Sequence, residues 1–110
     1  MKSYVIDELR GNDFNRIKDY ADAHFTPSGI GGLYWITLDS DILSDNQKTH
    51  QACRPFYFAV EITPERVVCE LLVRTNNRVR CSCIRYATEN QLNWLTRLID
   101  GVMESLDIKL

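Results

Sequence analysis

The sequence predicts an α+β protein. It would be a two-layer sandwich in which one antiparallel sheet of about four strands is covered on one face by an N-terminal and a C-terminal helix. Three observations predict it. Apolar residues recur at helical spacing near both ends, at Phe14, Ile17, Ala21 and Phe25 and again at Leu92, Leu95, Ile99, Val102 and Leu106. Between them, residues 56–87 read as a β-meander, three strands joined by short reversals. Ser44-Asp45-Asn46-Gln47 and Thr88-Glu89-Asn90-Gln91 each have the form of a capping box, which marks a helix start.

The first segment, residues 4–9, is short and fits either a strand or a helix. Gly11-Asn12 breaks the chain, and Asn12 or Asp13 can cap a helix over 13–24. Thr26-Pro27 ends it, because the residue before proline avoids helical geometry. Residues 28–32 form a glycine-rich turn. Residues 33–38 read as a strand that is apolar on both faces, hence central or covered on both sides. Its place in the sheet is not specified by the pattern. A polar turn follows over 39–44, then a short helix over 45–52 that Arg54-Pro55 closes. The meander strands are 56–63, 66–75 and 78–87. Pro64-Glu65 and Asn76-Asn77 sit at the reversals, and asparagine tolerates the positive φ of a type I′ turn. The last helix contains Gly101.

The chain has 110 residues, 45% apolar and 25% charged, with a formal net charge of −2. Such a profile fits one globular domain over 1–110. The near-neutral charge argues against nucleic acid as a partner. The N-terminus lacks the apolar core of a signal peptide, and no run approaches the ~20 apolar residues of a membrane span. The expected location is cytoplasmic. Four cysteines in a reducing compartment point to metal or catalysis more than to disulfides, although free cysteine is also a common core residue.

Two tight turns would fix the strand register and therefore the faces. The core face would hold Phe56, Phe58, Val60, Ile62, Val67, Cys69, Leu71, Val73, Ile84 and Tyr86. The other face would hold Tyr57, Ala59, Glu61, Val68, Glu70, Leu72, Arg74, Val79, Cys81, Cys83 and Arg85. The second set mixes acids, arginines, apolar residues and thiols, the composition of a contact surface rather than of a plain solvent face. A slip of one residue at either turn would swap the faces.

One constellation suggests a metal. His50 and Cys53 are three apart on the expected short helix, and Cys81 and Cys83 are two apart on the expected last strand, so each pair points one way. Together they make a Cys₃His set, a known type of structural zinc site. Thiolates would also suit an iron–sulfur cluster. In this arrangement one strand separates the pairs, a gap of roughly 9–10 Å that the preceding loop must fold over to close. The alternative is that Cys81 and Cys83 are small apolar packing residues and His50 is a solvated helix residue. A thiol-based redox centre is a further option, since Arg74 and Arg85 share the predicted face of Cys81 and Cys83.

Other features carry less. Arg66, Arg74, Arg78, Arg80 and Arg85 outnumber Glu70 across the last two strands, which serves either phosphate binding or solubility. Gly29-Ile30-Gly31-Gly32 precedes a strand rather than a helix, so it is a turn and not a phosphate cradle. Asp39, Asp41 and Asp45 lack the glycine and terminal glutamate of a calcium loop. Trp35 and Trp94 read as core aromatics, or as an interface if the face of Trp35 is open. The function expected first is a non-enzymatic binding or accessory module, acting through the outer sheet face and the 39–54 loop on a protein partner or a second copy. The alternative is a structural zinc domain built on His50, Cys53, Cys81 and Cys83, and a thiol-dependent redox protein comes third.

Overall fold

The computed structural model describes residues 2–75 and 81–109. In chain order it contains β1 (Ser3–Ile6), α1 (Asp13–His24), β2 (Thr26–Pro27), β3 (Leu33–Thr37), α2 (Asp45–Thr49), β4 (Phe56–Ile62), β5 (Val67–Glu70), β6 (Leu72–Thr75), β7 (Arg85–Tyr86) and α3 (Glu89–Ser105). Two 3₁₀ turns, Ser40–Ile42 and Gln51–Cys53, flank α2. The fold is α+β with an antiparallel sheet of seven short strands.

The sheet runs β1-β5-β4-β3-β2, and β6 pairs with both β4 and β7. Strands β5 and β6 are two parts of one bent strand. Val60 opposes Cys69, yet Phe56 opposes Thr75, so two more residues are used on that strand than on β4. The shift falls around Leu71, in the manner of a bulge. Its N–H donates to the Lys2 carbonyl at 3.1 Å, and its carbonyl accepts from the Ala87 N–H at 2.7 Å. Thus β1 and β7 line the same edge in succession.

The Pro64-Glu65 reversal has the predicted register, with Val60 opposite Cys69 and Ile62 opposite Val67. Thr63 closes the turn with its N–H on the Arg66 carbonyl at 2.9 Å. Phe56, Phe58, Val60, Ile62, Val67, Cys69 and Val73 accordingly share the buried face. Ile17 and Ala21 of α1 and Leu95, Ile99, Val102 and Met103 of α3 pack into the same cluster. Two tyrosines on this face reach the helices. Tyr34 donates its hydroxyl to Asp22 of α1 at 2.5 Å, and Tyr4 donates to Asp100 of α3. Gly32 turns the chain into β3 at φ +81°. There a Cβ would stand 2.9 Å from the Ile62 carbonyl oxygen, closer than real contacts allow.

Helix α1 spans the predicted residues, with Asn12 at the N-cap position. Asn12 makes no side-chain cap; Asp13 instead accepts the Arg10 N–H at 3.1 Å. Both predicted capping boxes are formed, by Ser44 with Gln47 and by Thr88 with Gln91. On α3 the buried stripe is rotated from the expected one. Gln91 and Met103 are buried, whereas Leu92 and Leu106 are only half-buried.

Four expectations are corrected. The ambiguous first segment is a strand, β1, which pairs with β5. The short helix ends at Thr49, and His50 is the shared boundary of α2 and the 3₁₀ turn. About four strands become seven, because the edges are built from two- to five-residue pieces and one long strand is broken by the bulge. Among the described residues the last meander strand is only Arg85–Tyr86, and its register is different. Leu72 lies opposite Tyr86, where a tight turn at Asn76-Asn77 would have set it opposite Cys81. The turn itself lies outside the described residues. An odd offset of five residues exchanges faces. Cys81 and Cys83 are therefore not on the outer sheet face at all; they precede β7 in a turn.

Candidate metal centre

The turn Cys81–Ile84 is closed by the Ile84 N–H donating to the Cys81 carbonyl at 3.1 Å. In a strand the two thiols would point one way along a flat surface. The turn instead wraps residues 81–83 around one point, and the Cys83 N–H donates to the Cys81 sulfur. Cys53 arrives from the other side, at the end of the 3₁₀ turn that leads into β4. The sulfurs of Cys53, Cys81 and Cys83 all lie within 4.8 Å of one another. The Cys53 thiol donates to the Cys81 sulfur at 4.0 Å. Sulfurs about 2.3 Å from one tetrahedral zinc ion would be about 3.8 Å apart, so the spacing is close to that of a thiolate metal site.

Burial is uneven. Cys83 is 0% exposed and Cys53 is 3% exposed, both within the hydrophobic cluster, while Cys81 is half-buried. The Cys81 thiol is pushed down to about 7. The Cys83 N–H is the main cause, followed by the Cys83 thiol, with the Cys53 thiol and the nearby His50 ring adding to it. Burial pushes the Cys83 thiol up, to about 12. The cluster thus holds one thiolate readily and keeps its other protons as donors to it, which a divalent cation would displace.

His50 is near this cluster without joining the group of sulfurs. Its Nδ1 is 2.6 Å from the Asn46 carbonyl oxygen, an acceptor, so Nδ1 carries a proton and Nε2 is the nitrogen left for a metal. A backbone carbonyl on Nδ1 is the usual outer support of a metal-binding imidazole. The thiols are supported as well. Thr75 of β6 donates its hydroxyl to the Cys53 carbonyl. Gln47 of α2, itself 2% exposed, donates Nε2 to the Cys83 carbonyl at 3.3 Å. Asn46 donates Nδ2 to Ser82 between the two cysteines at 3.4 Å, and its buried Oδ1 has no partner among the described residues.

The predicted residues therefore divide. Cys53, Cys81 and Cys83 meet, and His50 stands beside them on its own hydrogen bonds. The predicted gap of one strand does not arise, because the 81–83 turn lies beyond the end of β7 rather than across β6. Sequence reasoning did not find Gln47, Thr75 or Asn46, whose support depends on contacts between distant segments. Cys69 is a separate buried thiol on β5, pushed up to about 12 by burial.

The other candidates are placed as follows. Arg74 pairs with Glu70 at 2.5 Å and Arg66 with Asp7 at 3.9 Å, so two of the hairpin arginines face acids. Arg85 donates to the Ser82 carbonyl, and Arg78 and Arg80 lie outside the described residues. Neither Arg74 nor Arg85 is among the causes of the lowered Cys81 thiol. A surface depression of about 770 Å³ between residues 41–48 and the start of α3 contains none of the thiols. Among the described residues no helix is long and apolar enough to cross a membrane. No protein-family model, curated protein or solved structure matches this chain.

Proposed function

We propose that this chain is a zinc-binding protein in which Cys53, Cys81 and Cys83 supply thiolates and Nε2 of His50 completes the set. The observation that carries this reading is the convergence of three sulfurs from segments 28 residues apart within 4.8 Å. Chance burial of cysteines does not require a backbone N–H aimed at one sulfur, nor a histidine beside them whose Nδ1 is held by a backbone carbonyl. Two of the thiol ligands are buried, and with His50 as fourth ligand the set would be closed, which favours a structural over a catalytic role. The ion would fasten the 50–53 segment to the 81–83 turn and hold both against the end of the sheet.

Zinc measured by mass spectrometry on protein purified without chelator tests this. The expected result is about one zinc per chain, at the stoichiometry of a single structural site. Cys81→Ser should lose most of it, and Cys69→Ser should keep it. Cobalt loading should give a thiolate-to-metal charge-transfer band that His50→Ala shifts. Metal-free protein with every thiol labelled after unfolding, and no uptake on adding zinc, would remove the reading.

A second reading follows from the open sheet face. α1 and α3 pack on the other side, while Leu33, Trp35, Ala59, Val68 and Leu72 are half-buried here and Val5 and Tyr86 are exposed. The face carries both signs, in Glu61 and in the Glu70–Arg74 ion pair. On this reading the zinc-held domain is a binding module whose partner is a second copy. Light scattering across a concentration series should show a dimer that Val68→Glu dissociates. A monomer throughout would exclude it.

A further inference from the structure

The four cysteines differ in their access to solvent. Cys53, Cys69 and Cys83 are buried, at 3%, 0% and 0% exposure, and Cys81 alone is half-buried. A reagent arriving from solvent therefore meets the Cys81 sulfur first. A second thiol stands next to it, since Cys53 Sγ donates to Cys81 Sγ at 4.0 Å. A disulfide holds its sulfurs about 2.0 Å apart, so the two must approach by about 2 Å, a shift on the scale of a side-chain rotation.

The buried partner is held through its backbone. Thr75 donates its hydroxyl to the Cys53 carbonyl, and the Cys53 N–H donates to the His50 carbonyl at 3.0 Å. Cys83 is the third sulfur within 4.8 Å, but it is a poorer covalent partner for Cys81. A link between these two would close a small ring inside the turn that the Ile84 N–H fastens to the Cys81 carbonyl. Cys53 is 28 residues away on another segment, so a link to it leaves that turn as it is. One accessible sulfur with a buried thiol beside it is the arrangement of a cysteine that reacts with oxidants and is then resolved.

We propose that Cys81 is a site of oxidation by hydroperoxides and that Cys53 is its resolving thiol, so that peroxide converts the pair to a Cys53–Cys81 disulfide. In the first step the Cys81 sulfur attacks a peroxide oxygen and the O–O bond breaks. Cys81 becomes a sulfenic acid, and the other oxygen leaves as water or an alcohol. In the second step the Cys53 sulfur attacks the Cys81 sulfur, the S–O bond breaks, and the hydroxyl leaves as water with the Cys53 proton. Two thiols lose two electrons and two protons in all, and one peroxide is reduced. With the thiols already deprotonated on a metal, solvent supplies those two protons. Losing two thiolates would release zinc, while the new bond fastens the same two segments. The release rests on the zinc reading; the disulfide rests on the sulfurs alone.

The test treats the reduced chain with one equivalent of hydrogen peroxide, once as purified and once after a chelator has removed metal. Peptide mapping by mass spectrometry should find Cys53 joined to Cys81 in both samples, with Cys69 still a free thiol. About two thiols per chain should be lost, and dithiothreitol should restore them. Cys53→Ser should stop at a sulfenic acid on Cys81, which dimedone traps. A Cys53–Cys81 link in protein that never holds zinc supports this proposal and removes the zinc reading. The proposal is overturned, with the zinc reading left standing, if Cys81 stays free in both samples, if its link is to Cys83, or if Cys69 is oxidised as fast as Cys81.

Discussion

Gln91 of α3 donates its Nε2 to the Oε1 of Gln47 on α2 at 2.8 Å, and both side chains are buried. Each is the third residue of its helix and the last of its own capping box, and each Oε1 also accepts the N–H of its own cap residue, Ser44 or Thr88, at 3.0 Å. Gln91 spends its second Nε2 proton on the Ile42 carbonyl at 2.9 Å, and Gln47 gives Nε2 to the Cys83 carbonyl. Two helix starts and the thiol turn are joined through these two amides. Glutamate would serve either cap equally well, but it has no N–H to pass the chain of bonds onward.

Gln91→Ala removes half of a capping box and leaves the Ile42 carbonyl and Gln47 Oε1 short of a buried donor. The expected loss is about 2–3 kcal/mol of unfolding free energy. Asn93→Ala, exposed on the same helix, should stay within about 0.5 kcal/mol. Urea denaturation of the two variants measures the difference. Equal, small effects would show that the amide pair does not bear on stability.

Two neighbouring glycines should respond differently to one methyl group. Gly32→Ala forces a side chain into the left-handed region at φ +81° and sets its Cβ against the Ile62 carbonyl. It should destabilise by about 2 kcal/mol or more, with the cost shared between backbone strain and displacement of the β4 end. A Cβ at Gly31 meets nothing within 4 Å, and Gly31→Ala should be near neutral. Thermal melts of both proteins decide this.

Burial keeps the Cys69 thiol protonated, with its ionisation raised from an ordinary value of 9.0 to about 12. A raised folded-state value means that its contribution is complete below pH 9. It is lost as pH rises toward 12, because the unfolded chain ionises first. Over that window Cys69 should add about 1.4 kcal/mol per pH unit to the fall in stability. Cys69→Ala should make the alkaline slope shallower by about this amount, whatever its stability at neutral pH. Tyr4, also raised to about 12, first by its burial and then by its bond to Asp100, keeps part of the slope in the variant. Denaturant titrations between pH 8.5 and 11.5, at half-unit steps, would read it; an unchanged slope would place ionised Cys69 in the folded protein.

Local signals were legible where local forces decide. The capping boxes at Ser44 and Thr88, the extent of α1 and the Pro64-Glu65 hairpin all stand where turn and cap chemistry puts them. The hairpin carried with it the correct inner face of β4 and β5, since a two-residue loop leaves one register. A tight turn at Asn76-Asn77 would fix a register in the same way, but β6 pairs with β7 in a different one. Cys81 and Cys83 alternate with polar residues as strand residues do, yet they stand in a turn. A turn tolerates that alternation as well as a strand does.

The sequence by itself determined which residues begin helices, which face of the central hairpin is buried, and which four residues have metal-ligating chemistry. Cap, turn and period are set by neighbours in the chain, so they can be read from it. Only the tertiary structure decided that Cys53 meets Cys81 and Cys83 at the end of the core and that His50 stands beside them. Those placements depend on the bulge at Leu71 and on the pairing of Leu72 with Tyr86. This bulge moves every later residue by two positions along β4, and nothing local to residues 81–83 records it.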